Sequence, residues 1–394
     1  MENTDPQKML QYRIKLFRDT HAWKKPDRIP FNSNMFNWMF IDAGYTTAEA
    51  SRNYELLENI LDRFLGLYKI DGLNKISGMS RNPFLLHDAL GGNSSWGTTD
   101  SNASDVVAIF EDELIKSDEY DEFIADANKV LWEKAFFRHY PKAKDFNAEQ
   151  FKNALCKFKE FNDAKVKLNS KLRDVYGIPI ETNIVMVGSS TNLLMNSYRG
   201  IKGFAIDMRR NFAKVKEFVD IRQSMAIKGA VERLSQTQGY DWNETYDVHI
   251  GYLDYTIMNT KQFEALLLPT LDAVAKACEK YDKQAWLNTE GSFERFGDYF
   301  NNYRRGVTTC SVEMDDPFVI REKYPNIGIV GGISLDVLGK GTPQQCVDMA
   351  KKSIDELGRD GGFVLSPNKF VTYKNDMRTE NLKAVGDFAE QYRG

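Results

Sequence analysis

The amino-acid sequence predicts a (β/α)8 TIM barrel, the α/β fold class in which eight parallel strands alternate with helices around one core. Short apolar runs recur along the chain, and longer stretches with helical spacing of apolar residues separate them. The composition, 42% hydrophobic and 27% charged, is that of an ordinary globular protein. We expect one barrel domain over residues 1–394. The eight predicted strands are residues 28–32, 72–76, 181–187, 248–252, 284–288, 308–312, 327–331 and 362–365.

The alternation is clearest in the C-terminal half of the chain. Thr342 suits the N-cap of a helix, Pro343 suits its first position, and Gly358 suits its end. The helices predicted between and after the last strands are residues 261–281, 293–303, 317–324, 343–357 and 380–392.

About a hundred residues, approximately 77–180, separate the second and third predicted strands. They include the turn-forming segment NSSWGTTDSNASD at 93–105 and the acidic segment EDELIKSDEYDEFIADA at 111–127. Because structureless loops of that length are rare, we expect an insertion with its own strands and helices, packed over one end of the barrel. A separate domain is the alternative. The segment 93–105 is the expected lid or docking rim of the barrel mouth.

Charge and motifs exclude several classes of function. The formal net charge of −4 gives no reason to expect nucleic acid as a partner, and no apolar run is long enough to predict a membrane span. Four cysteines without a CxxC pair, and an N-terminus unlike a signal peptide, predict a reducing, cytoplasmic location. Neither a GxGxxG motif nor a P-loop is present, so nucleotide binding is not predicted.

Three segments resemble the uroporphyrinogen decarboxylase superfamily. They are PDRIPF at 26–31, SDEYDEFIAD at 117–126, and GGISLDVLGKGTPQQCVDMAKKSIDELGRDGGFVLSPN at 331–368. The resemblance implies a barrel fold and one of two activities. One is decarboxylation of porphyrinogen side chains without a cofactor, and the other is methyl transfer that involves a corrinoid protein and usually zinc. It implies the fold more strongly than either activity.

The decarboxylase pattern fits this sequence poorly. That branch grips the carboxylates of its substrate with arginines after the first strand, whereas here no arginine lies between Arg28 and Arg52. An aromatic loop with Phe36, Trp38 and Phe40 stands there instead and favours a smaller, more apolar substrate, with the core as the alternative place for these rings. Asp88 is a candidate for substrate contact because the decarboxylases of this superfamily use an aspartate in roughly this region.

The methyltransferase pattern fits better. Thiol-methylating members of the superfamily bind zinc through a His-x-Cys pair after the fifth strand and a cysteine after the eighth. Asn288 and Glu290 occupy the first two positions here, and the segment SPNKF at 366–370 has no cysteine. The sequence NTEG at 288–291 is nearest to the His-Ser-Asp-Gly of the demethylating branch. The resemblance therefore implies the methyltransferase component of a corrinoid-dependent demethylation system, which moves a methyl group from a small methylated donor to a corrinoid protein.

The geometry of a barrel selects site residues independently, because active sites lie at the carboxyl ends of the strands. Residues two apart on a strand share a face, so Asn288 points with Glu290 and Ser311 points with Glu313, while Cys310 points away. The candidate catalytic residues are His249, Glu290 and Glu313. The candidate substrate-binding residues are Asn34, Trp38, Asp88, Tyr252, Asn288 and Asn368.

The three candidate catalytic residues are also the candidate zinc ligands. An open zinc ion would act as a Lewis acid on the oxygen of a methyl ether. Three alternatives remain open: a structural role for His249, a helix-capping role for the residues around Glu313, and acid–base catalysis by paired carboxylates without a metal. His21 and His139 lie on helical patterns and are predicted to be surface residues.

Two other functions remain possible at this point. One is a decarboxylase of the uroporphyrinogen type, which arginines converging on the mouth would favour. The other is a binding protein without catalysis, which a mouth whose carboxylates are all salt-bridged would favour.

Overall fold

The computed structural model describes residues 5–73, 83–92, 96–97, 108–109, 113–180, 185–236, 245–253, 255–292 and 294–394. Its α-helices are α1 Pro6–His21, α2 Trp38–Asp42, α3 Thr47–Arg52, α4 Tyr54–Leu67, α5 Phe84–Leu90, α6 Tyr120–Ala125, α7 Ala127–Val130, α8 Phe136–His139, α9 Ala148–Asp174, α10 Ser190–Leu193, α11 Gly200–Arg210, α12 Phe212–Ser235, α13 Thr260–Leu266, α14 Leu268–Lys280, α15 Gly297–Phe300, α16 Pro317–Lys323, α17 Leu335–Lys340, α18 Pro343–Leu357 and α19 Thr379–Gln391. Its strands are β1 Trp96–Gly97, β2 Ala108–Ile109, β3 Val185–Gly188, β4 Val248–Leu253, β5 Ala285–Thr289, β6 Thr308–Ser311, β7 Gly328–Ile333 and β8 Phe363–Pro367.

The central sheet has six parallel strands in the order β3-β4-β5-β6-β7-β8. Neighbours in the sheet are neighbours in sequence, and a helical segment follows each strand, as expected of βα units. The predicted strands from 248–252 onward match β4 to β8 within two residues at every end. The parallel α/β class and the strand order are therefore confirmed for this part of the chain.

In the described residues, the first predicted strand and the start of the second, residues 72–73, contribute single bridges instead of regular strands. Parallel bridges join Phe31 to Leu365, Asn32 to Gly72, and Leu73 to Ile180. These bridges place the first predicted strand between β8 and the second predicted strand, and the second beside Ile180, which precedes β3. This is the spatial order that a barrel would have. Among the residues that the structure describes, the sheet is not closed, so closure into eight strands stays a prediction.

The two faces of the sheet pack against different partners. The residues that face the helices are apolar and belong to the main core, as Ile250, Leu287 and Cys310 do. Cys310 is fully buried, as predicted, and burial raises the pKa of its thiol, which keeps it protonated. The opposite face contributes Trp286 to a second cluster with Phe17, Tyr246, Val330 and Val364.

Helix α1 lies against the amino ends of the strands. Arg18 Nη1 is 2.8 Å from Asp247 Oδ2, and both side chains are fully buried. Asp247 Oδ2 also accepts a hydrogen bond from Gln284 N at 2.9 Å. Because Asp247 and Gln284 immediately precede β4 and β5, this ion pair fixes the helix across the start of two adjacent strands.

His21, at the end of α1, is not a surface residue. It is 3% exposed, and its Nδ1 lies 3.0 Å from Thr309 Oγ1. Burial, reinforced by the positive charge of Arg18, lowers the pKa of His21 to about 3. The prediction of a surface position was wrong because α1 packs with its last turn under the sheet, and helical periodicity does not show what a helix packs against.

The buried His21 predicts an acid-sensitive fold. The unfolded chain takes up a proton at this residue below about pH 6.5, whereas the folded chain does so only near pH 3. Its contribution to stability is complete above pH 6.5 and is lost as the pH falls, at about 1.4 kcal/mol per pH unit. We expect His21→Gln to show a shallower loss than the wild type in urea unfolding between pH 7 and pH 5. Equal slopes for the two proteins would contradict this expectation.

Local capping patterns explain the helix boundaries in the C-terminal half. The Thr342 side chain accepts from Gln345 N, and α18 runs over Pro343–Leu357 as predicted, with Gly358 as its C-cap. The single helix predicted for 261–281 is instead α13 followed by α14. Pro269 lies in the first turn of α14, where its missing N–H removes no helical bond, so the sequence starts a second helix there.

The predicted insertion contains helices and a small antiparallel sheet of β1 and β2. Its longest helix, α9, contacts α5, α1 and α4. The acidic segment forms a short 3-10 turn and α6. Of the predicted lid at 93–105, only Trp96 and Gly97 are described. In the described part of the chain, no helix combines the length and the apolar character needed to cross a membrane.

Candidate active site at the carboxyl ends of the strands

The inner face of the sheet can be followed from strand to strand through its register. His249 pairs with Trp286, and Trp286 pairs with Thr309. Ser311 pairs with Val330 in the same way. Paired residues of a parallel sheet share a face, so these side chains point to the side on which Phe17 and Trp286 cluster. Trp286 Nε1 donates a hydrogen bond to Ser311 Oγ at 2.9 Å, which links the inner faces of β5 and β6.

Asn288 lies two residues beyond Trp286 on the same face of β5, close to the carboxyl end of the strand. It is half-buried, and its side chain forms no hydrogen bond with any residue in the described part of the chain. An asparagine amide offers two N–H donors and one carbonyl acceptor. A polar group that is partly desolvated and unused by the protein is what a ligand can satisfy.

Glu313 joins the loops that follow β5 and β8. Its Oε2 accepts a hydrogen bond from Gly291 N at 2.5 Å, and its Oε1 is 4.0 Å from Lys369 Nζ. Its main-chain oxygen accepts from Asn368 Nδ2 at 2.8 Å. The Glu313 side chain is 26% exposed, so the carboxylate lies at the rim and not in the interior. Glu290, next to Gly291, is also half-buried.

The side-chain amides of Asn34 and Asn368 form hydrogen bonds with main-chain groups. Asn368 Oδ1 accepts from Leu335 N at 3.0 Å, at the start of α17. Asn34 has a left-handed backbone with φ of 46°, and its Nδ2 donates to Pro367 O at 3.1 Å. Both residues hold the loops of the mouth together, and their predicted contact with substrate stays a prediction.

The remaining predicted substrate residues are Trp38, Asp88 and Tyr252. Trp38 is 3% exposed, and its Nε1 donates to Met377 O, so its ring is core. Asp88 is on the exposed side of α5, where Arg52 holds both carboxylate oxygens at 2.7 and 3.0 Å. Tyr252 belongs to β4, and its side chain lies outside the described part. Phe36 is the loop aromatic that reaches the rim, 5.6 Å from the ring of Phe370.

Two features of the site were not predicted from the sequence. One is the bond between Trp286 and Ser311, and the other is Lys369 beside Glu313. The alternation that selects Asn288 and Glu290 extends back to Trp286, so the indole was within reach of the same argument. Lys369 follows a proline and an asparagine in a loop, where no periodicity applies.

Comparison with solved structures identifies the architecture. A methyltransferase from Methanosarcina mazei matches with a TM-score of 0.60 and 14% identity, over 97% of this chain and 99% of that chain. The chain has the fold of that methyltransferase. A B12-independent methionine synthase from Shewanella sp. W3-18-1, solved with selenomethionine, covers 92% of this chain and 97% of its own at 10% identity, with a TM-score of only 0.38.

Sequence comparison adds no family. No protein-family model matches the chain, and no curated protein matches it in sequence. The structural match shows a shared fold. The resemblance to the uroporphyrinogen decarboxylase superfamily, and to one of its branches, stays a prediction from the residues of the sequence.

The described residues do not fit a zinc site. They contain no group of three His, Cys, Asp or Glu side chains that could hold a metal ion, and His249, Glu290 and Glu313 are all among them. The ring of His249 lies 6.0 Å from Trp286 and 6.1 Å from Tyr246, deeper in the sheet than the rim where Glu313 binds Gly291. The proposed zinc ligands lie on or after neighbouring strands, but their side chains do not converge on one point. The reaction proposed below therefore uses no metal.

Proposed function

We propose that this protein is a methyltransferase that takes a methyl group from a small, uncharged donor bound at the carboxyl ends of β5 and β6. The observation that carries the proposal is the Asn288 amide, which faces inward with no partner in the described structure. The fold shared with a methyltransferase supports the reaction class. In the finer form of the proposal, the methyl acceptor is a corrinoid carried by a partner protein.

The charges around the site favour an uncharged donor. Lys369 Nζ lies 4.0 Å from Glu313 Oε1, so this cation at the mouth is already in an ion pair. Arg28, the arginine of the first predicted strand, is buried and holds Asp71 through two hydrogen bonds of 2.5 and 2.6 Å. A substrate with many carboxylates would need arginines free to bind it. Phe36 and Phe370 offer an apolar surface instead.

The chain's own residues would act on the leaving oxygen of the donor. When the carbon–oxygen bond of a methyl ether breaks, the electron pair stays on oxygen, and negative charge develops there. Asn288 would donate an N–H to that oxygen. Ser311 already accepts from Trp286, so its hydroxyl hydrogen remains available as a second donor. Fixed donors aimed at developing charge are the usual means of lowering such a barrier.

Access to the site is compatible with a second protein. A reduced corrinoid would supply the electron pair that takes up the methyl group. Nucleophile and methyl carbon must approach to about 3–3.5 Å, so the donor must be reachable from outside. Asn288, Glu290, Ser311 and Asn368 are all partly exposed in the described structure.

The experiment supplies a methylated phenol as donor and free cob(I)alamin as a probe acceptor, followed by the absorbance of methylcobalamin. We expect methyl transfer only when donor, protein and reduced corrinoid are all present. Asn128→Ala, on the exposed side of α7, serves as a control that should transfer at the wild-type rate. Decarboxylation of a porphyrinogen without any partner would contradict the proposal. Absence of transfer to free cob(I)alamin and to a reduced corrinoid protein alike would also contradict it.

A further inference from the structure

A groove of about 550 Å³ lies close to the loop that follows β5 in the candidate active site. Its walls come from α11, from residues 256–259 after β4, from α13, and from Arg295 after β5. These segments follow three successive strands, so the groove opens at the same end of the sheet as Asn288. Thr256 lines the groove and also borders Gly291, because a Cβ added to Gly291 would lie 2.7 Å from the Thr256 methyl carbon.

The described lining of the groove carries positive charge. Arg209 and Arg295 line it, and no Asp or Glu is among the lining residues that the structure describes. Within the described part of the chain, neither guanidinium lies within 4.0 Å of a carboxylate, although ion pairs are common elsewhere on this surface. Arg199, one element earlier, shows the contrast, because it holds Asp207 at 2.6 Å.

The side chain of Arg295 is fixed by two contacts at the edge of the groove. One of its Nη atoms donates to Tyr255 O, and its guanidinium lies over the Phe296 ring at 4.5 Å. The floor is also fixed, because Gln262 Nε2 donates to Met208 O at 3.1 Å. Ile257, which is 42% exposed, adds an apolar surface to the same groove. Two cations and an apolar wall are therefore presented together in one concave place.

We propose that this groove binds a small molecule with an anionic group, a phosphate or a carboxylate, whose apolar part rests on Met208 and Ile257. Arginine donates several N–H bonds in a plane and matches the oxygens of either group. A volume of this size is that of ordinary small-molecule sites, which favours a small ligand over a protein surface. The proposal is independent of methyl transfer, because no lining residue is one that we place in that reaction.

The test titrates the whole protein with inorganic phosphate and, separately, with succinate at low ionic strength, followed by calorimetry. We expect saturable binding of at least one probe, and the stronger of the two identifies the anionic group. Arg209→Gln should weaken that binding about tenfold or more, since a charged hydrogen-bond partner is lost. Arg210→Gln is the matched control, because Arg210 is the exposed neighbour that does not line the groove.

The Arg209→Gln variant decides the outcome, because the Arg209 side chain forms no hydrogen bond with the described residues. The substitution therefore removes the charge without removing a hydrogen bond to the described residues. Arg295→Gln should weaken binding as well, with circular dichroism as a check that the loop remains folded. Saturable binding that falls equally in Arg209→Gln and Arg210→Gln would mean general charge attraction and would overturn the proposal. So would the absence of saturable binding of either probe to the wild type.

Discussion

Replacing Asp247 by Asn is expected to lower the free energy of unfolding by about 3–5 kcal/mol. The change leaves the guanidinium of Arg18 in a fully buried position without the opposite charge that lies 2.8 Å away. Taking a charge out of water is costly, and the paired carboxylate offsets much of that cost. Urea unfolding followed by circular dichroism at pH 7 measures the difference.

Two further variants separate the ion pair from other effects at this position. Arg18→Met with Asp247→Leu removes both charges, and we expect it to recover much of the stability lost in Asp247→Asn. Asp336→Asn breaks an exposed pair with Lys340, in which both side chains are about four-fifths exposed, and should change the unfolding midpoint very little. If Asp247→Asn has as small an effect as Asp336→Asn, the buried ion pair does not stabilise the packing of α1 against the strands.

Replacing Asn288 by Ala is expected to reduce the rate constant of methyl transfer by about a hundredfold to a thousandfold. The loss should fall on kcat more than on KM, because the amide is proposed to bind the oxygen most strongly as its charge develops. Rates of methylcobalamin formation over a range of donor concentrations provide both constants. Asn128→Ala, on the exposed side of α7, is the control of the same chemical type.

The outcome for Asn288 also locates the donor. An unchanged kcat with a raised KM would assign the amide to ordinary substrate binding. An unchanged kcat and KM would show that the donor oxygen does not lie at Asn288, and the proposed position of the reaction would then be wrong.

The C-terminal strands were predictable because each is buried on both faces and bounded by turn residues. Strand β7 is buried at all six positions, and strands of this kind are recognisable in the sequence as continuous apolar runs. The N-terminal segment 28–32 has a similar apolar pattern but forms only bridges, because part of its main chain is not hydrogen-bonded to a neighbouring strand. Phe31 N donates to the carboxylate of Asp71 at 2.9 Å, and Pro30 has no N–H to donate.

The candidate site was predictable only as far as strand periodicity reaches. Alternation placed Asn288 and Ser311 on the inner face and Cys310 on the outer face. It gave no distances between strands, so it brought His249 and Glu313 together as zinc ligands although they do not converge. Loop geometry was beyond its reach as well, since the bond between Glu313 and Gly291 depends on a left-handed glycine with φ of 73°.

The docking of α1 has a consequence for the order in which the protein is made. Arg18 is translated before its partner Asp247, which lies 229 residues later, and Thr309, which contacts His21, lies 288 residues after that histidine. At roughly 5–20 residues per second, the ribosome needs roughly 10–50 s to reach Asp247 after Arg18. During that time the apolar side of the helix, including Phe17, has no strands to cover it. Helix α1 thus leaves the ribosome well before it can reach its place against the strands, and nascent chains stalled before β4 should expose it to proteases and chaperones.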